Sequence, residues 1–314
     1  MMEAAFDVVD MSLRLSFFLF LVFAYACRGD KHSSEESEGR GIGIRDVLPI
    51  KTIANGEGDT VDCIDIYVQP AFGHPALEGH AVRLMPSSLI SRDVGPASNV
   101  SYKLAEPCPP GSVPIPRFCK VDPLIVRTLS TIESENRTCD GSNLNEIVDF
   151  SRIFWADGEN PIEHGGGAVL STHNLTVAKE RFTSLNLVVQ GGTDGRLSAI
   201  SAGWMVDQKG TTRLFTSWTG DDHNGVCYNH DCPGFVQTSS DLALNAVVTH
   251  KGDGDLSGIQ VSVLQDPLTR HWWLAYDGNF VGYWPNELFG DLYDGATLLD
   301  WSAATKHSTF YAGT

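Results

Sequence analysis

The chain has 314 residues, enough for one large domain or two ordinary ones. Its 22 Lys and Arg stand against 39 Asp and Glu, a formal charge of −17 that excludes nucleic acid as a partner, because phosphate backbones are bound by basic surfaces. A hydrophobic share of 42% with 31 Gly and 15 Pro excludes a disordered or collagen-like chain and describes a foldable, turn-rich protein.

From Leu15 to Ala26 the chain is almost wholly apolar. The stretch is too short for a bilayer span, which takes about 20 apolar residues, and has the length of a secretory h-region; Ala24-Tyr25-Ala26 has the small-x-small form of a cleavage site. Residues 1–26 are therefore read as a signal peptide, and 27–46, rich in charge, Ser and Gly, as a disordered leader. This predicts a secreted protein on an extracellular, cell-wall or vacuolar route, with no stable membrane span. Asn99, Asn136 and Asn174 begin glycosylation triplets, which suits that route.

With Cys27 in the leader, six cysteines remain, an even number that fits an oxidising compartment. Cys227 and Cys232 enclose a short turn-rich string and read as a local disulfide. The pairing of Cys63, Cys108, Cys119 and Cys139 stays open. No CxxC pair occurs, so no structural metal is expected and no cofactor is implied.

Period-two alternation from Thr60 to Tyr67 predicts a half-buried strand in a small folded unit spanning 47–125. A polar connector follows at 126–165. From 166 to 314 short apolar runs alternate with Gly, Asp, Asn and Pro, which predicts antiparallel strands in an all-β sandwich or barrel. The spacing of Leu288, Phe289, Leu292, Ala296 and Leu299 predicts a short helix or covering turn over Asn286 to Leu299. Trp204, Trp272, Trp273, Tyr283 and Trp284 are candidate substrate-stacking rings, since alternation puts one of each adjacent pair on the outer sheet face. His223, His230 and His271 lie on no recognisable ligand spacing and are expected at the surface.

The strings PIKTIANGEGDTVDCIDIYVQPAFGHPALEGHAVRLMPSS (49–88), AGWMV, RLFTSWT, CYNHDCPGFVQ, DPLTRHWWL and VGYWPNELF resemble the plant neprosin family, the first its activation peptide and the rest its peptidase domain. The resemblance implies a prosegment followed by a two-sheet antiparallel β-sandwich. It also implies a glutamic-type endopeptidase that cuts after proline in acid and uses no metal. Such chemistry needs two carboxyl groups on one water, one ionised to take its proton and one placed to protonate the leaving amine. Two neighbouring carboxyls push their pKa values apart, which accounts for an acid optimum.

At the two positions that correspond to the family glutamates this chain carries Ser201 and Asp300. A serine hydroxyl does not ionise near pH 5, and aspartate withdraws its carboxyl by roughly 1 Å, a displacement that costs about a hundredfold in rate. The catalytic pair is thus degenerate, and the expected protein is a peptidase-like precursor with impaired catalysis. Its partners are its own prosegment and an extended proline-containing peptide or a cell-wall component. Two alternatives remain: an active acid endopeptidase that pairs Asp300 with Asp194, Asp207, Asp221, Asp222 or Glu287, and an extracellular peptide- or glycan-binding module.

Overall fold

The computed structural model describes residues 47–54, 59–87, 100–117, 146–155, 162–172, 182–192, 197–206, 210–221, 226–250 and 257–308. The signal and leader readings, the acceptor asparagines Asn99, Asn136 and Asn174, and Cys119, Cys139, His223, Asp194, Asp207 and Asp222 lie outside these residues. Among the described residues no helix is long and apolar enough to cross a membrane.

The first unit is a small antiparallel sheet of β1 (Lys51–Ala54), β2 (Thr60–Asp65) and β4 (Ser112–Pro116), in the order β1-β2-β4. The alternation read from Thr60 onward is the register of β2, whose Val61 and Cys63 are buried while Asp65 is exposed. Pro114 and Pro116 fit β4 because it is an edge strand, where a missing N–H breaks no ladder. A disulfide joins Cys63 to Cys108 within this unit. Two 3-10 turns (Pro70–Gly73 and Pro75–Leu77) and the extended chain to Ser87 follow β2.

The second unit is all-β and two-layered. One sheet runs in the order β10 (Cys227–Tyr228), β9 (Thr212–Thr219), β8 (Ser198–Val206), β7 (Phe182–Gly191), β16 (Leu298–Ser308), β5 (Glu146–Trp155). The other runs β11 (Val236–Gln237), β15 (Asn279–Trp284), β14 (Trp272–Tyr276), β13 (Ser257–Gln265), β6 (Gly165–Thr172). Residues 146–155, inside the span read as a connector, supply the edge strand β5, which pairs with β16 from Glu146 to Trp155.

Between the layers lie Leu187, Val189, Ile200, Ala202, Trp204, Leu214 and Trp218 from the first sheet and Ile259, Val261, Val263, Trp272, Leu274 and Trp284 from the second, all in one apolar cluster. Tyr276 crosses this core and donates its hydroxyl to the carbonyls of Gly203 and Phe215, each at 3.3 Å. The five aromatic residues proposed as stacking surfaces are all buried: Trp272, Trp273, Tyr283 and Trp284 at 0% exposure and Trp204 at 4%. Alternation does separate the faces, but in this precursor both faces of β14 and β15 are covered.

Gly203 marks the tightest approach in β8. A Cβ there would lie 2.0 Å from the Leu185 carbonyl oxygen and 2.7 Å from Asn186 Oδ1. The first of these is backbone and cannot rotate away. Gly203→Ala is expected to cost about 3 kcal/mol, the upper part of the overpacking range, read as a lower denaturant midpoint at unchanged slope.

Over Asn286 to Leu299, where the spacing predicts a short helix or a covering turn, the chain takes the turn: one 3-10 turn (Asn286–Leu288), a loop, and the start of β16. Its apolar residues are buried as the spacing implied. The backbone, however, is satisfied by strand side chains: Trp272 Nε1 donates to the Leu292 carbonyl at 3.1 Å, and Gln265 Nε2 to the carbonyls of Leu292 and Tyr293 at 3.0 and 2.8 Å. A helical register would take those carbonyls back, and Gly295 at φ 137° lies outside helical space.

Candidate active site

Strand register assembles the site. Asp300 pairs with Val188, Val188 with Ser201, Ser201 with Ser217, and Ser217 with Tyr228. Directly paired residues of an antiparallel sheet point to the same side, so Asp300, Ser201, Ser217 and Tyr228 form one line across β16, β7, β8, β9 and β10. Alternation puts that line on the face opposite the apolar core, whose residues on these strands include Leu187, Ala202 and Trp218. The face is nonetheless closed in the precursor: Asp300 is 1% exposed, Ser201 5%, Ser217 2% and Tyr228 2%. Sequence reading missed Ser217 and Tyr228, because only the pairing of β8, β9 and β10 brings them beside Ser201.

Ser201 and Asp300 are two strands apart, about 10 Å between backbones, with Val188 between them. Two glutamates at these positions would lean over Val188 and leave room for one water. A serine and an aspartate leave a wider gap with a carboxyl on one side only. Of the proposed substitute acids, Asp221 accepts from Ser198 Oγ at 3.2 Å, at the end of β9. Ser198 is three residues from Ser201, about 10 Å along β8 and on the other face. Glu287 sits beside His80 and His271, on the other sheet. Among the described residues, neither joins the Asp300 line.

The first unit is strapped across the second by polar contacts at successive points. The Gln69 carboxamide accepts from the Gln237 amide at 2.8 Å and donates to its carbonyl at 3.1 Å, and so completes the edge of β11 as a peptide group would. The Tyr283 hydroxyl accepts the Arg83 amide at 3.0 Å and lies 2.9 Å from His80 Nε2. Asp266 receives both the amide and the hydroxyl of Ser87. Burial opposes ionisation of Asp266, but those two donors and the amides of Leu268 and Thr269 outweigh it and hold its pKa below the usual carboxylate range. Further along, β3 (Val100–Ser101) pairs with β12 (Thr249–His250), and Tyr102 donates to Asp277 at 2.6 Å.

Two family models match this organisation: the neprosin activation peptide over residues 52–152 and neprosin over 179–311. The chain belongs to the neprosin family. The activation-peptide match covers the first unit from Thr52 and runs on into β5, and the neprosin match lies within the second unit; an activation peptide with a neprosin domain is the organisation of a neprosin-family peptidase precursor. The matches make the strap an interaction between the neprosin domain and its own activation peptide, and Asp300 and Ser201 both fall inside the neprosin match.

Cys227 and Cys232 form a disulfide that closes the loop after β10. Of the three histidines expected at the surface, His230 and His271 are buried. His230, inside that loop, is 4% exposed and edge-on to Phe235; His271 is 5% exposed and stacked on Tyr283 at 5.0 Å. Burial pushes His230 down to about 4 against an opposing hydrogen bond with Gln237, and burial likewise pushes His271 down to about 4. Alternation and composition carry no signal for this, because His271 is enclosed by His80 and Tyr283 from other segments, and His230 by Phe235 and Gln237 only once the disulfide loop has closed.

Proposed function

We propose that the chain is the secreted precursor of a neprosin domain that has kept the peptide-binding face of a proline-directed glutamic endopeptidase and lost its hydrolytic pair. The observation that carries this reading is the line Asp300–Val188–Ser201–Ser217–Tyr228, which holds one carboxylate where water activation takes two. Hydroxyls at Ser201, Ser217 and Tyr228 are neutral donors and acceptors, suited to the carbonyls and amides of an extended chain. They do not supply a base at acid pH. The rings on which the glycan-binding alternative relied are buried in the precursor, Tyr283 beneath His80 of the activation peptide.

Acid-treated protein incubated with a proline-rich peptide is expected to give no fragments by mass spectrometry, while fluorescence anisotropy shows the same peptide bound. Cleavage after proline that Asp300→Asn abolishes would instead establish an active acid endopeptidase and end this reading.

A further inference from the structure

Activation peptide and neprosin domain meet at three Lewis bases that take no part in the Asp300 line. His80 comes from the peptide, His271 immediately precedes β14, and Glu287 lies in the 3-10 turn after β15. One ligand-type atom from each lies within 4.8 Å of the other two. The imidazoles are buried, with side chains 6% and 7% exposed, whereas Glu287 is 43% exposed. The cluster lines a cleft of about 450 Å³ together with Ala76, Arg83 and Thr269.

Hydrogen bonding sets the two rings. The Asn286 amide donates to His271 Nδ1 at 3.2 Å, so that nitrogen is an acceptor, its proton is on Nε2, and a metal there takes over the lone pair now given to the amide. At His80, Nε2 lies 2.9 Å from the Tyr283 oxygen, which already accepts the Arg83 amide; Nδ1 is the free acceptor when Nε2 carries the proton, and carries the proton itself when the Tyr283 hydroxyl donates to Nε2. His80 Nδ1 then faces Glu287 Oε1 at 3.7 Å, and His271 Nδ1 faces Oε2 at 4.0 Å. Two imidazole nitrogens and a carboxylate thus converge on one point, an arrangement that a cation stabilises when it replaces the Asn286 amide at His271 Nδ1 and any proton on His80 Nδ1.

We propose that His80, His271 and Glu287 form a binding site for a divalent transition-metal ion of the zinc class, which staples the activation peptide to the neprosin domain. Two imidazoles and a carboxylate are a ligand set zinc takes, and the open cleft leaves a fourth position to water. In a tetrahedral site with bonds of about 2.1 Å the ligand atoms are about 3.4 Å apart. Rotation of the half-exposed Glu287 closes the observed 3.7 and 4.0 Å, and the two imidazole nitrogens, within 4.8 Å of each other, close by up to about 1.4 Å through ring rotation. Tyr283 holds the far nitrogen of His80, as an outer partner of a metal-bound histidine does. The site is independent of what Ser201 and Asp300 do.

The test uses the full chain without a histidine tag, stripped with EDTA and titrated at pH 7.5 with zinc by calorimetry and with cobalt(II) by absorption. One equivalent of zinc is expected to bind, with the intense visible bands of four-coordinate cobalt. Zinc is also expected to slow hydrogen exchange at amides 77–83 and 286–289 together. Glu287→Gln and His80→Asn should each weaken binding at least tenfold, while His164→Asn, outside the cluster, leaves it unchanged. Glu287→Gln alters an exposed side chain and carries the test should His80→Asn not fold. The proposal is overturned by no stoichiometric uptake, by uptake equal in Glu287→Gln, or by exchange and melting that are identical in zinc and EDTA yet respond to pH, which would mean that only a proton fills the cluster.

Discussion

Ser201→Glu combined with Asp300→Glu is expected to yield a protein that cuts after proline in acid, with the parent and either single variant near background. The double variant places two carboxyls over Val188 on strands held in register by β7, so the positioning is supplied by the sheet. General acid–base catalysis contributes about 100- to 10,000-fold per positioned group. Because the two carboxyls act on one water, their effects are non-additive and each single variant stays near background. Both positions are buried in the precursor, and the pair works with one carboxyl ionised and the other protonated, so the gain is sought in acid after acid treatment. The expected result is at least about a hundredfold rise in fragments over the parent by mass spectrometry. A double variant that melts like the parent and remains inert would remove the Asp300 line as the seat of two-carboxyl chemistry.

The second large effect is acid destabilisation through His230. Its folded pKa is about 4 against an unfolded value near 6.5, because burial disfavours the imidazolium. Above pH 6.5 neither state binds the proton and the group is silent. Between pH 6.5 and 4 the unfolded chain takes up a proton that the native state refuses, so stability falls with pH, by about 3 kcal/mol across the window. Urea melts of parent and His230→Gln at pH 7 and pH 4.5 measure it: the variant is expected to lose the smaller amount over that interval, whatever its absolute stability. Equal losses in the two proteins would mean that the loop opens to water before the histidine titrates.

Local pattern made much of this fold legible. The alternation at Thr60–Tyr67 and the short apolar runs after 166 became strands because period two survives in any sheet with one buried face. The CYNHDC string closed on itself because five residues around a turn leave the cysteines no better geometry. Sequence failed where a residue's surroundings come from far along the chain. Leu288 and Leu292 have helical spacing, yet Gln265 and Trp272 satisfy the nearby carbonyls from other strands. One ring of each adjacent pair, Trp272-Trp273 and Tyr283-Trp284, was expected outside, and all four are covered, Tyr283 by His80 of the activation peptide. The site is similar: Ser201 and Asp300 were found by motif, but their common line with Ser217 and Tyr228 exists only once five strands are paired.

The covalent map carries one more consequence. Cys63–Cys108 closes within the activation peptide and Cys227–Cys232 within the neprosin domain, so among the described residues only the main chain links the two. While that chain is whole, the strap acts at the high effective concentration of a tethered ligand. Once it is cut, the same contacts become a bimolecular equilibrium, governed by mass action and weakened by dilution alone.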